Sequence, residues 1–333
     1  MFNRDDSRID ELLKEIKDLR KEVGEWRREA EKSTAKTATI LTLASSKPAN
    51  PVGLRPRRAV VTCITDNFIT LGAVFIASLV ENGNLPKTDE VDVVVISDPK
   101  FAPLSDDNKD TLFSILPKIR FIEPDTSYLS DDLVKRWDNG VVIKQVTDAE
   151  LPSKKSVYLK LAILNLTEYD EILWMDSDML VLKSIFELFS LPTKLAMVRG
   201  GKPHHHFGVS YGVQKMGFNS GLMLIKKPYI SRNSFNEAVR LLNEKTHTVK
   251  QDQSLLNAQW LNEERMYLPH HYNWKMGLLN SDKTWDHAFD HARVLHFDGP
   301  CKFKLKEGTT NNKTTAAFHD YLRRYELRMI MEP

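Results

Sequence analysis

Ile172-Leu173-Trp174-Met175-Asp176-Ser177-Asp178-Met179-Leu180-Val181-Leu182 is two apolar runs separated by a pair of carboxylates. A continuous apolar run without polar alternation reads as a strand buried on both faces, the kind found in parallel sheets. Open α/β sheets bind ligands at the carboxyl ends of such strands, which is where Asp176 and Asp178 fall. Two carboxylates one residue apart can share a divalent cation, and hard cations such as Mg²⁺ and Mn²⁺ often keep substrate phosphates as further ligands. Asp-x-Asp is also an ordinary turn or helix-cap sequence; the apolar strand before it favours the metal reading. A cation held there could grip a nucleoside diphosphate, which points to chemistry on a nucleotide-activated sugar.

Working outward, residues 59–64 form an apolar strand, Thr65-Asp66-Asn67 a turn, and residues 68–79 a helix with Gly72, Ala73 and Ala77 on its packing face. Strands over 91–96 and 119–122 flank a helix over 107–116, and a helix over 157–166 delivers the chain to the Asp176 strand. Alternating strand and helix predict an α/β fold with a largely parallel, doubly wound sheet. Residues 33–58, rich in Ser, Thr, Ala and Pro, read as a linker. Residues 1–32 read as a heptad helix. Ile9, Ile16, Val23 and Ala30 take a positions, and Leu12, Leu19 and Trp26 take d positions. Glu15 and Glu22 at g face Arg20 and Arg27 at e, a pairing that suits a parallel two-stranded coil. The predicted organisation is a coiled-coil helix (1–32), a linker (33–58) and a catalytic domain (59–333), assembled as a homo-oligomer, in the simplest case a parallel dimer, through Ile9, Leu12, Ile16, Leu19, Val23 and Trp26.

The 333 residues suffice for one or two domains. A net charge of +2 gives no field that argues for nucleic acid. Cys63 and Cys301 make no disulfide framework. The first residues lack the apolar core of a signal peptide, and no apolar stretch is long enough to span a bilayer. These features predict a cytoplasmic protein.

Ordered blocks of the chain resemble the glycogenin-like family 8 of retaining, nucleotide-sugar-dependent glycosyltransferases. They are Val60-Val61-Thr62-Cys63-Ile64-Thr65-Asp66-Asn67, residues 160–167, the Asp176 segment, Phe218-Asn219-Ser220-Gly221, residues 252–257, Leu268-Pro269 with Tyr272-Asn273, and His296-Phe297-Asp298-Gly299-Pro300-Cys301-Lys302. Single blocks carry little; the series in order carries the resemblance. It implies a single Rossmann-like GT-A domain with a mixed, mainly parallel sheet. It also implies a UDP-sugar donor, a glycan or protein acceptor, and Mn²⁺ as cofactor in preference to Mg²⁺.

Carried over by position, the resemblance makes Asp176, Asp178 and His296 the metal ligands. It places Lys302 on the diphosphate and Lys160 near the donor sugar, with Asn219 as a sugar contact and Asp252 and Gln253 beside the anomeric carbon. Asp252, Gln253 and Lys302 are thus the catalytic candidates. Thr65 and Asp66 fall where the family binds the nucleoside, and Ser177, Ser220 and Gly299 complete the donor-binding candidates. Ile69 stands where the family has a tyrosine near the uracil, so either base stacking is lost or Phe68 replaces it. Val249 replaces a further aspartate. No tyrosine lies between Asn273 and His296, so self-glucosylation of the glycogenin kind is not implied. Trp260, His270, His271, Trp274 and Trp285 are acceptor-side candidates because aromatic faces suit sugar rings; His204-His205-His206 reads as a loop. Two other classes are compatible with the residues: a sugar-phosphate nucleotidyl or phosphoryl transfer enzyme, and a non-catalytic nucleotide-sugar-binding assembly protein built on the coiled coil.

Overall fold

Strand β1 (Arg58–Cys63) and the segment that carries the carboxylates lie side by side in the middle of a seven-stranded sheet. The structure is a computed structural model that describes residues 56–85, 90–130, 136–138, 143–145, 155–200, 217–244, 252–279, 281–306 and 311–327. All of these belong to one unit within Pro48–Pro333. The heptad of residues 1–32, the linker up to residue 55, the His204-His205-His206 stretch and Val249 lie outside the described residues.

After β1 come helix α1 (Ile69–Asn82), β2 (Val91–Ile96), α2 (Asp106–Ile115) and β3 (Arg120–Ile122). A small hairpin, β4 (Arg136–Asp138) with β5 (Ile143–Gln145), precedes the buried strand β6 (Glu171–Met175). Beyond it are β7 (Met179–Val181), β8 (Leu195–Arg199), β9 (Phe218–Lys226), α3 (Arg232–Asn243), α4 (Asp252–Gln259) and β10 (Met266–Leu268). The chain ends with β11 (Trp274–Lys275), α5 (Asp282–His291), β12 (Val294–His296) and α6 (Lys313–Arg324). Side-chain oxygens close the amino ends of three helices: Ser231 for α3, Ser281 for α5 and Asn312 for α6 each accept from a backbone N–H three residues on.

The main sheet has the order β10-β8-β9-β6-β1-β2-β3. β6, β1, β2 and β3 run parallel, as the alternating pattern requires. β9 runs antiparallel to both neighbours, β6 and β8. The sheet is therefore mixed and mainly parallel, as expected from the resemblance, and the reversal has a functional consequence. The first residues of β9 come to the same end of the sheet as the last residues of β1 and β6, since Leu222 pairs with Met175.

Both sheet faces are covered. Val61, Ile172, Trp174, Met223 and Ile225 share one core with the segment before β6 and with Leu242 of α3 and Leu255 of α4. Their strand neighbours Val60, Leu173 and Leu224 point the other way and are equally buried. The segment before β6 is helical, as the sequence predicts, and is wound as a 3-10 helix over Val157–Asn165. It is buried from Tyr158 to Leu164.

A second, three-stranded sheet of order β11-β12-β7 stands beside the first. β7 follows β6 after only three residues, and β12 pairs antiparallel with it so that His296 sits opposite Met179. The turn Asp176-Ser177-Asp178 is thus the hinge between the two sheets, and β12 delivers His296 to it.

Candidate active site

Asp176 follows the last residue of β6, and its N–H donates to the carbonyl of Gly221 in β9 at 2.8 Å. Asp178 precedes β7, and its carbonyl accepts from the N–H of Phe297 at 2.8 Å, just past β12. Three sheet-anchored backbones therefore hold Asp176, Asp178 and His296, and one ligand atom from each lies within 4.8 Å of the others. His296 Nε2 is 3.2 Å from Asp178 Oδ1 and 3.7 Å from Asp176 Oδ2. Two carboxylate oxygens and an imidazole nitrogen at this spacing form a donor set suited to Mn²⁺ or a similar divalent ion.

The other oxygen of Asp176 is already engaged. Oδ1 accepts from the Trp174 indole N–H at 2.8 Å and from Lys160 at 3.0 Å, which leaves Oδ2 directed at the cluster. Lys160 is buried and also reaches Asp252 Oδ2 at 2.6 Å and Ser220 Oγ at 3.1 Å. Burial opposes its charge, but Asp176 and Asp252 outweigh that penalty and hold its pKa well above the ordinary lysine value. The same contest operates on His296. Burial disfavours the imidazolium, yet Asp178 first and Asp176 next raise its pKa. Asp178 is in turn lowered, because His296 and Lys302 overcome the desolvation that acts the other way.

These groups face a cavity of about 430 Å³ lined by Cys63, Thr65, Phe68, Ser156, Val157, Lys160, Trp174, Asp176, Ser177, Asp178, Asp252 and Lys302. Lys302, from the 3-10 helix Gly299–Leu305, puts its ammonium 3.8 Å from Asp178 Oδ2 and 4.5 Å above the Phe68 ring. Gly299 starts that helix at φ 64, a left-handed backbone that suits glycine. Cys63 also faces the cavity, but burial and then Asp176 push its thiol up to about 12, so it is a poor nucleophile.

Of the expected donor residues, Thr65, Lys160, Asp176, Ser177, Asp252 and Lys302 meet at this cavity. Asn219, Ser220, Gln253 and His296 form a second layer behind it. Ser220 Oγ donates to Asp252 at 3.0 Å, and Asn219 Nδ2 donates to Gln253 at 2.9 Å. Asp66 is not part of the cavity lining; its Oδ1 accepts from the Ser105 N–H and the Asn108 amide, tying the turn to the start of α2. Ile69 is buried at the start of α1, and its neighbour Phe68 supplies the ring on the cavity wall. Two acceptor candidates belong to the core instead. Trp260 is 1% exposed and stacks on Phe218, and Trp285 is 2% exposed beside Phe297. His270 and Trp274 are in mutual ring contact at 4.5 Å and keep some exposure. Trp174 and Asn273 were not singled out by sequence reasoning. The alternation of β6 could have placed Trp174 on the face shared with the 157–165 segment.

Comparison with known proteins adds three findings. The sequence profile described as "Glycosyl transferase family 8" matches residues 59–306. A protein of Acanthamoeba polyphaga mimivirus, "Uncharacterized protein R707", is 25% identical over 182 residues, 52% of this chain and 64% of that protein. Among solved structures, the bifunctional glycosyltransferase WbbM superposes with a TM-score of 0.58 at 18% identity, covering 85% of this chain and 53% of WbbM. The galactosyltransferase LgtC, solved with donor and acceptor sugar analogs, gives 0.57 at 18% identity, covering 80% of this chain and 95% of LgtC. This chain therefore spans less than two thirds of the mimivirus protein and about half of WbbM.

Proposed function

The chain belongs to glycosyl transferase family 8, and from that premise we propose that it moves a hexose from a UDP-sugar to an acceptor hydroxyl with retention at the anomeric carbon. The observation that carries this reading is the meeting of Asp176, Asp178 and Lys302 on one cavity wall, with His296 directly behind the two carboxylates. Donor and acceptor sugar analogs are what the LgtC structure holds, and the shared fold supports a donor and an acceptor sugar here. Asp176, Asp178 and His296 would hold the cation, and the imidazole among them favours Mn²⁺ over Mg²⁺. When bound, the ion neutralises charge on the diphosphate of the leaving group.

The chain's own residues do the rest. Lys302 donates to the diphosphate oxygens and stabilises the charge that develops as the glycosidic bond breaks. The Phe68 ring gives the uracil an apolar face. Lys160 bridges Asp176 and Asp252, 3.0 Å from one carboxylate and 2.6 Å from the other. Asp252 Oδ2 accepts from both Lys160 and Ser220, which weakens it as a nucleophile but leaves a negative charge suited to an oxocarbenium-like transition state. Front-side attack follows. The acceptor oxygen bonds to the anomeric carbon, the bond to the β-phosphate oxygen breaks with its electron pair leaving on UDP, and the acceptor proton passes to that departing oxygen.

Nucleoside diphosphate release from a panel of nucleotide sugars tests the reading, with Mn²⁺, with chelator, and with Asp176→Ala. Metal-dependent release from a UDP-sugar, abolished by the substitution, is the expected result. A product whose linkage is inverted by NMR would refute the retaining assignment. We also propose that residues 1–32 join two copies as a parallel coil; Leu12→Asp with Leu19→Asp should leave a monomer by light scattering, and an unchanged mass would overturn that assignment. Both described cysteines are free thiols, which fits a reducing compartment such as the cytoplasm; recovery in a membrane or secreted fraction would count against it. Among the described residues, no helix is long and apolar enough to cross a membrane.

A further inference from the structure

Behind the metal ligands runs a chain of side-chain amides, buried at Asn219 and Asn273, whose polarity is set by the backbone. The N–H of Gly221 lies 3.0 Å from one terminal atom of Asn219, and the N–H of Ser220 lies 3.2 Å from one terminal atom of Gln253. A backbone N–H only donates, so both side-chain atoms must be carbonyl oxygens. That choice propagates. The Asn273 atom 2.7 Å from Asn219 Oδ1 must be the amide nitrogen. The other Asn273 atom is therefore the oxygen, and it stands 2.9 Å from His296 Nδ1. A carbonyl oxygen only accepts, so Nδ1 carries a proton. Asn219 Nδ2, 2.9 Å from Gln253 Oε1, satisfies the same assignment independently. Asn273 is 2% exposed and Asn219 8%, so water has little access to the relay.

We propose that Asn273 is a positioning residue that holds the His296 proton on Nδ1. In the neutral ring the lone pair then lies on Nε2, the nitrogen that faces Asp178 and Asp176. The third metal ligand is prepared in its binding form by strand β9, acting through Asn219 and Asn273. A metal-bound histidine usually needs such a partner on its second nitrogen; here the partner is an amide whose own orientation is dictated two bonds upstream. The relay also ties the ring to Gln253, the neighbour of Asp252 in α4. The inference rests on the metal reading proposed above for its purpose, but not for its geometry.

The test compares wild type with Asn273→Ala and Asn273→Asp in the full chain. Mn²⁺ affinity is read from the EPR signal of the free ion. The ring proton is located by ¹⁵N NMR of His296 at alkaline pH without metal, where the ring is neutral. Asn273→Ala should move the proton to Nε2 and weaken Mn²⁺ binding about 10- to 100-fold. Asn273→Asp keeps an oxygen for the Nδ1–H while giving up the donor to Asn219, so it should keep both the tautomer and the affinity. A merely structural role would weaken both variants alike, and that result would overturn the proposal. So would an Nε2–H ring in wild type, or an Asn273→Ala protein that binds Mn²⁺ as wild type does. A wild-type chain that leaves Mn²⁺ free would refute the metal reading; the NMR measurement, which needs no metal, would still decide the tautomer.

Discussion

Gly221→Ala should damage the site through a single methyl group. A Cβ built on Gly221 would lie 2.6 Å from His296 Cε1 and 2.9 Å from both His296 Nδ1 and Asn219 Oδ1. Ordinary contact begins near 3.4 Å, so the imidazole must retreat by 3.4 − 2.6, or 0.8 Å. It has nowhere to go. The His296 backbone is paired to β7 and β11, its ring is buried, and Gly221 sits in the buried strand β9, its carbonyl bonded to the Asp176 N–H. Overpacking of this kind costs about 1–3 kcal/mol, offset by roughly 0.4–1 kcal/mol from a less flexible unfolded chain. The net loss of about 1–2 kcal/mol corresponds to a fall in Tm of about 2–6 °C for a domain of this size. The effect on the site is larger, because ligand geometry tolerates only about 0.5 Å of error and a 1 Å misplacement costs about 100-fold in rate. Differential scanning fluorimetry with and without Mn²⁺, paired with UDP-release kinetics, measures both effects. A variant with wild-type Tm, wild-type stabilisation by Mn²⁺ and wild-type turnover would refute the close-approach argument.

Lys160→Met leaves Asp176 and Asp252 without their shared cation and should cost about 3–5 kcal/mol in urea unfolding; a loss below about 1 kcal/mol would mean that the ion pairs are not formed in solution. Phe68→Ala should weaken UDP binding about tenfold, since an aromatic face under a base is worth about 1–3 kcal/mol, while leaving Mn²⁺ affinity unchanged; unaltered UDP affinity by calorimetry would remove Phe68 from the nucleoside site. Mn²⁺ needs a neutral imidazole, and the pKa of His296 is raised, so apparent affinity should drop about tenfold per pH unit below that raised pKa. The decline should begin at a higher pH than the ordinary histidine value of 6.5; an affinity that stays flat down to about pH 5 would contradict the ligand assignment. Without metal the sign reverses. The stability that His296 contributes is present below 6.5 and is lost as pH rises through its folded pKa.

The strands were legible because their signal is local. β6 and β1 are apolar runs with a fixed outcome, and the carboxylate pair at the end of β6 marks the ligand edge of the sheet. The antiparallel insertion of β9 was not legible from strand composition, since a strand buried on both faces looks the same in either direction. The cluster of Asp176, Asp178 and Lys302 followed from ordered motifs, but the rings did not. Trp260 and Trp285 offered themselves as sugar platforms, yet an aromatic residue reveals its partner only in the packed core, and theirs are Phe218 and Phe297. Asn273 escaped notice as a participant for a related reason. Its role depends on which of its two terminal atoms faces His296, and that is decided by backbone groups more than fifty residues earlier in the chain.

Lys160 joins two carboxylates to which the proposed function gives different purposes, Asp176 on the metal side and Asp252 on the sugar side. Because one ammonium group answers to both, neither end can be altered in isolation. Recoding Asp252 to accept a different hexose would release Lys160 toward Asp176 and change how strongly that oxygen holds the metal. Loading the metal would likewise loosen the grip of Lys160 on Asp176 and shift it toward Asp252. If the proposed roles hold, donor choice and metal demand are one inherited trait, and a variant selected for a new sugar should arrive with a new appetite for its ion.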